Sequence, residues 1–236
     1  EALENGAKGA LALGHPCREA ILRTIELHVE TFNEVNLATA LHRLAKVSPR
    51  PPDKRAVCAD PRLALLEACA LDKIRGFSPQ QLSNSAWALA TLGRLALPLL
   101  EAIEAQACER MPEFNSQDLS NTIWAFARLN HKPRQLMRAV AAEAQRKLRD
   151  FNPQGMANTL WAFATLAHFG EQHPALMQAV AGEALRKMHL FNPQNLANTA
   201  WAFATLDQAD ALLFTALARE AEQRVGDLNP QDLANT

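Results

Sequence analysis

One phrase recurs along this chain, and a polypeptide that repeats itself at a steady interval has few ways to fold. The copies are FSPQQLSNSAWALATL from Phe77, FNSQDLSNTIWAFARL from Phe114, FNPQGMANTLWAFATL from Phe151 and FNPQNLANTAWAFATL from Phe191. A cut-off fifth, LNPQDLANT, starts at Leu228, and successive starts lie 37, 37, 40 and 37 residues apart. A degenerate form, FNEVNLATALHRLAKV, begins at Phe32, 45 residues before the first full copy, and lacks the Pro, Gln and Trp. Self-similarity of this period marks repeat architectures, in which each unit buries its apolar face only against its neighbours.

Each copy opens with residues that start a helix. Ser78, Asn115, Asn152, Asn192 and Asn229 carry side-chain oxygens that accept a free backbone N–H at a helix start, and the Pro that usually follows suits the first helical position. The Phe or Leu before the cap and the Leu or Met after it, as in Phe77 with Leu82 and Phe151 with Met156, have the spacing of a hydrophobic staple. This first helix of each unit, helix A, is apolar or small nearly all round. A second, helix B, is expected to begin near Pro16, Pro61, Pro98, Pro133 and Pro174, with a last one near Asp210. In PRQLMRAVAAEAQRKLRDF, Leu136, Val140, Ala144 and Leu148 form one apolar stripe with charges elsewhere, so helix B shows one face to water.

Two helices per unit, neither able to bury its apolar face alone, predict an all-α fold: a right-handed α-solenoid of stacked helix-turn-helix repeats of about 37 residues. Residues 1–76 form degenerate N-terminal repeats in this reading, and 77–236 regular ones with the last truncated. The stretch KVSPRPPDKRAVCAD, residues 46–60, breaks the rhythm with Pro and basic residues, and its composition predicts an exposed, mobile loop.

Composition agrees with helices, since Ala is abundant, Tyr absent and β-branched residues sparse. The formal net charge of −1 counts against nucleic-acid binding by surplus cations, because phosphate affinity normally draws on excess Lys and Arg. Cys17, Cys58, Cys69 and Cys108 lack C-x-x-C spacing and fit free thiols in a reducing compartment, buried as small apolar side chains. With no apolar run of about 18 residues, no membrane span is expected. The chain opens at Glu1 without Met and ends inside the motif at Thr236, so it has the look of a fragment whose targeting peptide or further domain would lie elsewhere. No Gly-rich phosphate loop, G-x-S-x-G or H-E-x-x-H occurs, and the nearest histidines, His168 and His173, make a weak metal candidate. The expectation is a protein without catalysis, cofactor or metal.

The pattern P-Q-x-L-(S/A)-N-(S/T)-x-W-A-(F/L)-A-x-L resembles the octotricopeptide repeat (OPR) and the similar heptatricopeptide repeats of proteins that carry a RAP domain. The likeness is strong from Phe77 to Thr236 and weak from Pro16 to Gly76; a RAP domain is missing. It implies an α-solenoid of a mitochondrion or chloroplast that binds RNA and supports processing, stability or translation of transcripts, or ribosome assembly, within a ribonucleoprotein.

On a helical wheel with Leu82 at the origin, Ala86, Leu89 and Ala90 fall on the core side, while Gln81, Asn84, Ala88 and Thr91 gather opposite. The same line in later copies is Asp118, Asn121, Ala125, Arg128, then Gly155, Asn158, Ala162, Thr165, then Asn195, Asn198, Ala202, Thr205. A constant amide with a small neighbour and changing polar positions suits single-stranded RNA read one repeat to about one base, since Asn donates and accepts at once. The competing reading makes the Asn a bridge between adjacent A helices, and the first variable position a helix-start acid or amide, as at Asp118 and Asp232. Trp87, Trp124, Trp161 and Trp201 border the strip, either as a base-stacking ladder or as packing spacers. The Gln80, Gln117, Gln154 and Gln194 series has the look of a helix-start feature. Phosphate contacts would come from Arg128, Lys132, Arg134 and Arg138, from Arg146, Lys147 and Arg149, and from Arg186 and Lys187 in the matching place one repeat later, unless the basic pairs at the ends of B helices only complement the negative helix C-terminus and keep the outer face solvated. From Phe77 onward 13 basic residues face 15 acidic ones, so a positive track needs segregation of charge. The alternative to RNA is a scaffold subunit of a large complex, holding protein partners in the same groove. An enzyme with its catalytic domain past Thr236 is a third possibility.

Overall fold

A computed structural model of the protein describes residues 14–167, 173–208, 210–224 and 226. The described residues are all-helical, with twelve α-helices and no strand. In chain order these are α1 (Gly14–His28), α2 (Glu34–Lys46), α3 (Pro51–Ala59), α4 (Pro61–Asp72), α5 (Pro79–Leu92), α6 (Leu97–Glu109), α7 (Ser116–Arg128), α8 (Arg134–Arg146), α9 (Pro153–Leu166), α10 (Pro174–Lys187), α11 (Pro193–Thr205) and α12 (Ala211–Gln223). The A helices are α2, α5, α7, α9 and α11; the B helices are α1, α4, α6, α8, α10 and α12.

The joint leading into each A helix is built the same way every time. A single 3-10 turn ends the B helix, at Val29–Thr31, Ile74–Gly76, Met111–Glu113, Leu148–Asp150 and Met188–Leu190, and each buries its first residue. The following Phe is extended; Phe77, Phe114, Phe151 and Phe191 are at most 2 % exposed, each burial contributing about 1.5–3 kcal/mol. Next comes the N-cap, with Asn33, Ser78, Asn115, Asn152 and Asn192 each accepting from the backbone N–H three residues on. Asn33, Ser78 and Asn115 also form full capping boxes, in which Asn36, Gln81 and Asp118 accept from the cap's own N–H. Three A helices stop at a left-handed residue, Gly93 (φ 74°), Asn130 (φ 52°) or Asp207 (φ 52°), whose N–H and that of its successor return to the last helical carbonyls.

The chain forms two compact units, residues 1–107 and 108–236. In the first, α2 packs along α5, α1 on α2 and α4, and α3 on α4 and α5. In the second, α9 lies between α7 and α11, and α10 between α8 and α12.

Two expectations are corrected. Residues 46–60 hold α3, not a mobile loop: Pro51 and Pro52 occupy its first turn, Val57 is buried, and buried Asp53 is clamped by Arg18 (3.1 Å) and Arg50 (2.8 Å). Pro-Pro there is a helix start, where the missing N–H groups would have been unbonded anyway. The cysteines are free, but Cys17 is exposed and Cys58, Cys69 and Cys108 are only partly buried.

Candidate functional site

Between α7 and α9 of the second unit lies a polar cleft of about 130 Å³. Its walls include Gln117 and Asn121 from α7, Gln154 and Asn158 from α9, and the Gly155 backbone; no ionised side chain lines it. Gln117 and Gln154 are exposed and Asn121 and Asn158 half-buried, and none of the four carboxamides has an internal hydrogen-bond partner. The same holds for Asn84 and Asn198. The constant Asn makes no direct hydrogen bond to a neighbouring A helix among the described residues, and its half-buried carboxamide is open to solvent. The Gln series, expected to serve the helix start, supplies half of these amides, and the capping is done one residue later.

Gly155 is what opens this cleft. It stands at the third helical position, where Gln81 and Asp118 fold back to accept from the N-cap N–H at 2.7 and 3.2 Å. A Cβ on Gly155 would come within 3.2 Å of Asn152 Oδ1, 3.4 Å of Phe151 Cδ1 and 3.5 Å of Ser120 Oγ. With glycine there, Asn152 still caps the Gly155 N–H at 2.7 Å while the space above it stays empty.

The other strip residues divide. Gln81 and Asp118 are occupied by their capping boxes, so the first variable position belongs to the helix start in those two repeats, and Asn195 is buried without closing a box. Ala88, Ala125, Ala162 and Ala202 are fully buried, not facing a groove, because a methyl group there allows close approach of helices. Thr165 and Thr91 are half-buried with their hydroxyls covered, whereas Arg128 is exposed and unpaired. The tryptophans are half-buried, and Trp124 and Trp161 meet at 6.5 Å between ring centroids, tilted by 40°. In the first unit His42 stands in the tryptophan register of the degenerate copy and meets Trp87 at 5.0 Å. Helices α2 and α5, and α7 and α9, thus touch through these half-buried rings.

The basic pairs split between two roles. Lys147 Nζ donates to Pro112 O (2.7 Å) and Phe114 O (2.6 Å) and pairs with Glu143 (2.9 Å). Lys187 repeats this with Arg149 O (2.7 Å), Phe151 O (2.8 Å) and Glu183 (3.0 Å). Arg224 holds Phe191 O and Glu220, and Lys73 holds Phe32 O at 2.6 Å. Each cation stands four residues before the Phe or Leu that opens the next copy, and it clasps the carbonyl of the preceding one. All three ammonium hydrogens of Lys147 and Lys187 are engaged, so these two are structural clasps and not phosphate contacts. Burial pushes the Glu183 carboxyl up, but the hydrogen bonds and charges of Lys187 and Arg186 outweigh it and hold it below the usual carboxylate range. Arg146 and Arg186 are exposed beside Glu143 and Glu183. The constant spacing of the clasp was visible in sequence, but its target, a backbone carbonyl, has no sequence signature.

His173 lies edge-on against Phe163 at 5.0 Å, and His168 lies outside the described residues, as do Asp232 and the fifth copy from Leu228. Among the described residues no three His, Cys, Asp or Glu side chains group as metal ligands, and no helix is long and apolar enough to cross a membrane.

Recurrent helix pairs with like joints define a helical-repeat protein with an amide-lined cleft between α7 and α9. Residues 59–236 match the family model described as RNA-editing substrate-binding complex 6 protein, and the chain belongs to that family. No curated protein matches it. The likeness to OPR and heptatricopeptide repeats is thus one of motif, while membership lies with this family.

Proposed function

We propose that the chain is a right-handed α-solenoid of about 37-residue repeats that binds single-stranded RNA within a mitochondrial ribonucleoprotein complex, without catalysing a reaction. The observation that carries it is the set of unpartnered amides, Gln117, Asn121, Gln154 and Asn158, around one cleft between successive A helices. A carboxamide presents one donor and one acceptor side by side, matching base edges, while a site without ionised groups has little to offer a metal or a free phosphate. The family's description, as part of a complex that binds RNA-editing substrates, supports RNA over other polar ligands and a mitochondrion over a chloroplast. Asn84 and Asn198 extend the same chemistry to neighbouring repeats.

The near-neutral charge favours a second reading, a scaffold that holds an extended peptide in the same strip, since peptide groups also pair with carboxamides. Selection from randomised RNA followed by sequencing separates the two. RNA binding predicts enrichment of a short motif, and Asn158→Ala relaxes selectivity at one position of it at a cost of about 1–3 kcal/mol. Failure of the chain to retain any RNA at low salt would leave the scaffold reading standing.

A further inference from the structure

The clasps remove Lys147 and Lys187 from the cations expected to meet phosphates. A denser group of cations stands in the first unit. Between residues 43 and 55 lie Arg43, Lys46, Arg50, Lys54 and Arg55 against one acid, Asp53, and that acid is buried and held by Arg18 and Arg50. Arg43, Lys46 and Arg55 are exposed and Lys54 half-buried, and none of these four makes an ion pair or a hydrogen bond through its side chain. This is the charge segregation that the balance of 24 basic and 25 acidic residues demands if the chain is to meet a polyanion.

Within the first unit, α2 and α3, which carry these cations, both pack on α5, the helix of Asn84. Counting from the opening Phe, Arg43 and Lys46 of α2 occupy the positions held by Ala88 and Thr91 in α5, and Asn36 and Thr39 complete the line; all four α2 residues are exposed. Lys54 lies one turn before Cys58, whose thiol reaches Leu92 O at the end of α5 at 3.7 Å, so α3 delivers it to the same end of the A helices. His42 lies tilted by 49° against Trp87, and burial first, then the charges of Lys46 and Arg43, lower its pKa, which favours the neutral ring.

We propose that the exposed face of α2 and the adjoining start of α3 form a phosphodiester-backbone site for single-stranded RNA, with Arg43, Lys46 and Lys54 contacting phosphates and the His42–Trp87 pair offering an aromatic edge to a base. The site lies largely ahead of the residues that the family model covers. It rests on the RNA reading, and its chemistry differs from that of the amide cleft: this is a salt-sensitive anchor without base preference, and the cleft is a neutral reader.

The test is fluorescence anisotropy of the full chain with a labelled mixed-sequence single-stranded RNA, titrated between about 50 and 200 mM salt. The variant Arg43→Ala/Lys46→Ala/Lys54→Ala is expected to bind at least tenfold more weakly at low salt. Its plot of log affinity against log salt should flatten by about two, as loss of three contacts to a single strand requires. The charge-matched control Arg23→Ala/Arg75→Ala/Arg219→Ala, at exposed cations outside both the patch and the strip, should keep the original slope. Wild-type binding with no change in the triple variant, or equal losses in variant and control, overturns this site and leaves the amide cleft intact. No RNA binding by the wild type overturns the RNA reading itself. Photo-crosslinking of RNA to the unmodified chain is independent of variant folding: adducts must map to residues 36–55, and adducts confined to the second unit refute the proposal.

Discussion

The two units use the same helix pair and spend their cations differently. In the second unit, Lys147, Lys187 and Arg224 each close a joint by donating to the carbonyl of the preceding Phe, with Glu143, Glu183 or Glu220 one turn behind to hold them. In the first unit the corresponding Lys73 reaches Phe32 O with Cys69 where the acid would be, and Arg–carboxylate pairs take over: Arg94 grips Glu67 through two nitrogens at 2.9 Å and Arg62 holds Asp60 and Glu19. A regular stack needs one joint repeated; an irregular pair with an inserted helix needs several unlike ones. The regular unit thereby spends one cation per joint on a backbone carbonyl, and the irregular unit gathers four cations without ion pairs within residues 43–55.

The largest contrast should appear at the Phe that opens each copy. Phe151 is 2 % exposed at a regular joint, so Phe151→Ala should cost about 4 kcal/mol in urea denaturation, through lost burial and a cavity. Phe32 heads the degenerate copy and is only half-buried, so Phe32→Ala should cost about half as much. Equal costs would mean that the two joints are energetically one.

Next in size is the clasp. Lys187→Met leaves Glu183, 4 % exposed at its side chain, with only the exposed Arg186 as partner and frees two carbonyls, and should cost about 2 kcal/mol, whereas Lys73→Met loses a bond to one carbonyl and should cost about 1 kcal/mol. Adding Glu183→Gln to Lys187→Met should recover part of the loss, since the half-compensated buried charge disappears. If the single Lys187 variant is as stable as wild type, the clasp is ornamental and the lysine is free for other contacts.

Acid should act on the same pair more gently. Glu183 has its folded pKa lowered from 4.5, so it adds stability that is fully present above that value and is lost as pH falls through the folded one. The urea midpoint of the wild type should therefore drop as pH falls below about 4.5, and Glu183→Gln should show a shallower decline. A parallel decline in both would assign acid sensitivity to other carboxylates, among them Asp53, which is held low chiefly by its hydrogen bond from Arg50.

These contrasts also mark what could be seen in the sequence. Helix starts were legible because a cap residue followed by Pro is a local signal, and each observed N-cap is the residue expected. The constant Asn was legible as a polar position on helix A, but its lack of a partner depends on what the neighbouring helix presents. Residues 46–60 misled because Pro-Pro serves a helix start as well as a loop, and only the buried Arg18–Asp53 contact, 35 residues apart, decides between them. Lys147 and Lys187 misled because a lysine that reaches a carbonyl more than 30 residues away looks in sequence like one that reaches water.

The smallest expected effect on stability carries the most about function. Gly155 removes from α9 the side chain that closes the capping box in α5 and α7, and this gap separates the amide cleft from its neighbours. Gly155→Ala gains helix propensity, up to about 1 kcal/mol, but its Cβ presses on Asn152 Oδ1 at 3.2 Å, the atom that caps this helix, so the two effects should nearly cancel. Gly155→Asp goes further, supplying the carboxylate that Asp118 offers to its own N-cap and placing a negative charge among the four amides. If the cleft admits a base, Gly155→Asp should keep the melting temperature while RNA affinity falls severalfold and selectivity disappears at one position only, the one that Asn158→Ala also relaxes. Unchanged selectivity in a stably folded Gly155→Asp would mean that the amides face a ligand elsewhere along the strip, and that the glycine serves only the close approach of α7 and α9.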